Sequence, residues 1–272
     1  APTMKSAPIS GRNSWVTPSS ARPSSAFFRC LALSGSRTRT RCRISGAKFG
    51  KPANRIIPLS DRLSPTRSTP WFGFVFLDGT HAPYHLPPGY PPLATPMATD
   101  IDFLALDADH DATPERNRYR TAVNRADVLV GELLQALRSQ GLDENTIVLV
   151  TGDHGEEFND LGLNYWGHNG NFSDYQLQVP FVLHWPGQPP GMQSRMSSHE
   201  DWVPTLMRHA FGCENALQAF STGQDLLATA PPGPRALMVE SWSQRGIRHG
   251  DATYVFDTFG SATALDRNYL PL

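Results

Sequence analysis

Apolar runs closed by turn residues set out the architecture of this chain. Thr146-Ile147-Val148-Leu149-Val150-Thr151 is short, β-branched and uninterrupted, which predicts a strand covered on both faces, as parallel strands in α/β proteins are. Trp71 to Leu77 (WFGFVFL) predicts a second buried strand, and Val179 to Gly187 (VPFVLHWPG) a third. Between the first two, Tyr119, Val123, Ala126, Val130, Leu133 and Leu137 recur at steps of four and three, which marks one face of a helix for burial on a sheet. Thr113-Pro114-Glu115 supplies a capping hydroxyl, a first-turn proline and an acid at the positive dipole end, and Gly141 supplies the stop. Strand, helix and strand therefore make a crossover unit, with residues 86–113, rich in Pro and then Asp, as a long surface excursion. Ser198 opens a further helix that ends before Gly212. Ala236 to Ser241 and Ala252 to Asp257 predict the two strands of a late antiparallel hairpin.

Charge changes this picture at one place. The 272 residues carry a net charge of −1, which gives no global attraction to a polyanion and excludes nucleic acid as a partner on electrostatic grounds. Residues 1–70, however, hold 13 of the 24 Lys and Arg and only one acid, Asp61, together with 13 Ser and 8 Pro. That composition, without a sustained apolar period, predicts a basic low-complexity segment that is disordered or translated out of frame, followed by a domain over 71–272. It lacks the amphipathic pattern of a transit peptide and the interleaved aromatics of a base-stacking surface. Cys30, Cys42 and Cys213 form no CxxC pair and no even framework, so neither a zinc finger nor a disulfide scaffold is predicted. The apolar runs are far shorter than the roughly 20 residues of a membrane span, so a membrane is reached only through an anchor outside this chain.

Candidate chemistry gathers at strand ends. Asp153 and His154 follow the central strand directly, where ligands of open α/β sheets bind. Gly152 and Gly155 free the backbone to turn both side chains toward one ion. Carboxylate oxygen with imidazole nitrogen suits zinc, manganese or a similar divalent metal. The structural alternative is a polar turn that closes a strand. His81 and His85 follow the second strand in the same way, and His168 stands between Gly167 and Asn169 in a loop, as a ligand or as a packed histidine. His184, inside the third strand, is predicted to be packed. Asp107, Asp109 and Asp111 lack the ligand order and glycine of an EF-hand loop and read as solvated.

Taken together, THAPYH, RSQGLDENTIVLVTGDHGEE, VPFVLHWPG and SHEDWVPTLM, in this order and spacing, resemble the carboxyl-terminal two thirds of a sulfatase-like member of the alkaline phosphatase superfamily. The stretch from 71 to about 240 is most similar to the periplasmic domain of an inner-membrane, lipopolysaccharide-binding member. The resemblance implies an α/β sheet flanked by helices, amino-terminally incomplete here. It implies a divalent metal (zinc, manganese, magnesium or calcium) on Asp153 and His154, and substrate contacts from His81 and His168. It further implies a phosphate or sulfate ester or lipid ligand, lipopolysaccharide among them, at the periplasmic face of the inner membrane. Glu156 and Glu157, just past the metal pair, are expected to support ligands or to start a helix. The superfamily's Thr, Ser or formylglycine nucleophile has no match: neither Cys30 nor Cys42 begins a C-x-P-x-R signature. Covalent transfer without a nucleophile has no first step, so the expectation is a hydrolase or transferase domain that is inactive in this chain, or a lipid-sensing module.

Overall fold

A computed structural model describes residues 70–272 and the backbone of two further strands, Trp15–Val16 (β1) and Phe28–Ser34 (β2). The expectations for the rest of residues 1–70 lie outside the described residues.

The described chain forms two compact units. The first contains β1 and β2, Trp71–Leu77 (β3), the helix Thr113–Ser139 (α1), Thr146–Thr151 (β4) and, later in the chain, Phe181–His184 (β7). Its strands make one sheet in the order β1-β7-β4-β2-β3. Val148, Leu149 and Val150 on β4 are buried, as a strand covered on both faces requires. Its neighbours β2 and β7 are antiparallel to it, which corrects the expected parallel pairing. The crossover survives in another form: β3 and β4 both run antiparallel to the intervening β2, so they point the same way. Phe28 faces Leu77 and Arg29 faces Thr151, which brings the carboxyl ends of β3 and β4 to one edge of the sheet. β3 is less buried than expected, because it stands last in the order; Phe74 and Phe76 are 39% and 37% exposed.

Helix α1 lays Ala126, Val130, Leu133 and Leu137 on Leu77, Val148 and Val150. Its start differs from expectation. Thr113 is the first helical residue, and its N–H donates to Asp111 Oδ1 (3.0 Å), so the capping carboxylate lies two residues upstream. The stop is as expected, with Gly141 at φ +64° and the Leu142 N–H returning to the Leu137 carbonyl.

The second unit contains a two-stranded ribbon, Glu157–Phe158 (β5) with Trp166–Gly167 (β6), then the short helix Asp174–Leu177 (α2) and the helix Trp202–His209 (α3). Ala236–Glu240 (β8), Arg245–His249 (β9), Ala252–Phe256 (β10) and Ala262–Leu265 (β11) complete it as an antiparallel meander in the order β11-β10-β9-β8. The expected hairpin is thus corrected: β8 and β10 do not pair, because β9 lies between them. Sequence periodicity hides β9, whose buried face carries Gly246 and Arg248 instead of aliphatics. Arg248 is buried in an ion pair with Asp174, and Gly246 packs under the Phe172 ring. No described helix is long and apolar enough to cross a membrane.

Candidate metal and ester site

Asp153 and His154 leave β4 at the edge to which β3 delivers His81. Both side chains are about a third exposed, with Asp153 Oδ1 3.9 Å from His154 Nε2. Two ligands on one zinc or manganese ion at about 2.0–2.2 Å each stand at most about 4.4 Å apart, so this spacing fits a shared ion. The turn is possible because position 155 is glycine. A Cβ there would meet the Tyr175 carbonyl oxygen at 2.1 Å, and the Gly155 N–H donates to the Gln176 carbonyl at 2.7 Å.

Glu156, buried, follows, with its Oε2 2.9 Å from His168 Nδ1. A carboxylate that accepts from one ring nitrogen fixes the tautomer and the orientation of the ring. The donor set, imidazole nitrogen with carboxylate oxygen, fits zinc or manganese better than calcium, which takes oxygen ligands.

His81 is exposed, and its Nδ1 lies 2.7 Å from the Ala82 carbonyl. Helix α1 holds this segment. Arg118 donates through Nε to the Pro83 carbonyl (2.8 Å) and through Nη1 to those of Ala98 and Thr99. Tyr84, fully buried at φ +59°, packs edge-to-face on Tyr119 of α1, with ring centroids 5.2 Å apart. A non-glycine residue there is strained, and the burial of its ring offsets the cost.

Glu157 does not start a helix as expected. It lies on β5 with 0% exposure, and its Oε2 accepts from Asn171 Nδ2 (2.8 Å), Gln176 Nε2 (2.8 Å) and Ser173 Oγ (3.3 Å). Oε1 has no partner among the described residues. Burial pushes the Glu157 carboxyl above the ordinary glutamate range, against the lowering effect of its three donors. The sequence does not separate the ligand-supporting role from the helix start for Glu157, because a carboxylate's part depends on burial, for which an EEF tripeptide carries no signal. His184 is packed as expected, its Nε2 3.1 Å from the Asp143 carbonyl.

Comparison with known proteins gives this geometry a context. The Sulfatase family model matches residues 23–213, beginning well before the stretch at 71 where the resemblance was read. Inner membrane protein YejM of Salmonella typhimurium is 32% identical over 149 residues, 55% of this chain and 24% of that protein. Lipoteichoic acid synthase-like YvgJ of Bacillus subtilis is 33% identical over 142 residues, 49% of this chain and 23% of its own length. Steryl-sulfatase of Rattus norvegicus is 32% identical over 151 residues, 49% of this chain and 26% of its own length. The chain thus spans about a quarter of each relative. Proteins of the sulfatase and alkaline phosphatase group are typically dependent on divalent metals.

Proposed function

The chain belongs to the sulfatase family, and from that premise we propose that Asp153 and His154 hold a divalent metal which, with His81 and His168, binds the anionic group of a phosphate or sulfate ester. The observation that carries this reading is the approach of a carboxylate and an imidazole on the turn after β4, 3.9 Å apart in the Asp153–His154 pair. A metal there supplies positive charge against the equatorial oxygens of a phosphoryl or sulfuryl group. Glu156 orients His168, and His81, past the carboxyl end of β3, is the further proposed contact to the ester. The sequence offers no nucleophile motif, so the proposed activity is recognition of the ester without covalent transfer. The experiment is binding of inorganic phosphate with and without Mn²⁺, alongside hydrolysis of an aryl phosphate and an aryl sulfate. Phosphate binding that requires metal, with hydrolysis at background, is expected. Hydrolysis that disappears in Asp153→Ala restores an enzyme, and phosphate binding indifferent to metal removes the site.

The likeness to an inner membrane protein favours a second reading of the same site, as a sensor of anionic lipid headgroups such as those of lipopolysaccharide, at the periplasmic face of the inner membrane. Metal-dependent retention on lipopolysaccharide-bearing vesicles, lost in His81→Ala, supports it; equal retention in the variant refutes it.

A further inference from the structure

We propose that Glu157 is a positioning residue, which fixes the loop carrying His168 against the turn that follows His154. The proposal rests on the reading of that site given above and adds a residue to it. Glu157 Oε2 gathers Asn171 Nδ2, Gln176 Nε2 and Ser173 Oγ. Gln176 then works in two directions. Its Oε1 accepts the N–H groups of Gly170 (3.0 Å) and Asn171 (3.2 Å), two and three residues past His168, while its backbone carbonyl accepts the Gly155 N–H at 2.7 Å. Asn171 Oδ1 accepts the Ser173 N–H at 2.8 Å, which closes the loop on itself. One carboxylate oxygen thus sets the two side chains that bind the histidine loop, and one of these also binds the turn.

Packing alone does not account for a carboxyl here. A buried acid costs free energy that an aliphatic residue of similar size would not, unless its hydrogen bonds are needed. No apolar side chain can take three donors on one atom. The donors' own conformations, and with them the loop path from His168 to Ser173, depend on that acceptor.

The test uses Glu157→Gln, Glu157→Asp and Glu157→Leu in the full chain. Glutamine can present its carbonyl oxygen to the same three donors, aspartate withdraws the oxygen by one methylene, and leucine leaves all three donors buried without an acceptor. Two readouts are taken: hydrogen exchange at the Gly155, Gly170 and Asn171 amides, and Mn²⁺ affinity by calorimetry. Groups behind a metal site typically alter affinity by about 10–100-fold when removed. We expect Leu and Asp to speed exchange at the three amides and weaken Mn²⁺ at least about tenfold, with protection across β8 to β11 unchanged, and Gln to restore both readouts. If Leu fails to fold, Asp against Gln decides by the same readouts. Unchanged exchange at Gly155 and Gly170 in a folded Leu or Asp variant overturns the proposal, as does protection lost equally in Gln. A wild-type chain that binds no Mn²⁺ overturns the metal reading instead, and the exchange comparison still decides the role of Glu157.

Discussion

Gly155 and Glu157 show how far single residues near the site are fixed by their surroundings. A methyl group at 155 has nowhere to go, because the obstructing atom is the backbone oxygen of Tyr175, 2.1 Å away, and not the end of a flexible side chain. Gly155→Ala is therefore expected to cost about 1–3 kcal/mol, in the range of forced overpacking, read as a lower urea midpoint at unchanged slope. For Glu157 the sign follows from linkage. Its folded-state pKa is raised, so the stabilisation is complete below the ordinary glutamate range and is lost as pH rises through the raised value. Urea unfolding of the wild type should show stability that falls over that interval. Glu157→Gln should flatten the slope, and an identical slope in both proteins would contradict the assignment. Asp153, His154 and His168 stand out in the sequence as candidates because glycines and a strand end flank them, whereas Glu156 and Glu157 are not separable there. Both are buried, yet one meets an imidazole and the other three neutral donors.

At the scale of elements, legibility followed apolar periodicity. α1 was legible from Ala126 to Leu137, where aliphatics recur at helical spacing and pack as that spacing requires, whereas its first turns bury Glu115, Asn117 and Thr121, which no apolar period marks. Leu133→Ala, at the centre of that face, is expected to cost about 2–5 kcal/mol, read by urea denaturation. β9 was missed because Gly246 and Arg248 take its inward positions, and Arg248 is buried through its pairing with Asp174, which only the folded chain supplies. The start of α3 makes the same point. Asp201, 1% exposed, accepts from the Ser198 and Gln224 N–H groups and from Arg235 Nη1 at 2.7 Å, a pairing across 34 residues that no local pattern announces. Arg235→Leu leaves that charge buried without its cation and should cost about 3–5 kcal/mol. A loss below about 1 kcal/mol, the scale of exposed pairs, would mean the pair is solvated.

For the molecule as a whole, the family was legible because four blocks keep their order, and the Sulfatase match from residue 23 to 213 bears that out. Strand direction was not legible: a buried apolar run such as Ile147 to Val150 looks the same whether its neighbours run with it or against it, and here they run against it. That β4 ends in a metal site is tested by elemental analysis of the folded chain after Mn²⁺ or Zn²⁺ loading and desalting. Metal should remain on the wild type and be lost from both Asp153→Ala and His154→Ala while their circular dichroism is unchanged. Equal metal content in the wild type and the two variants would contradict it.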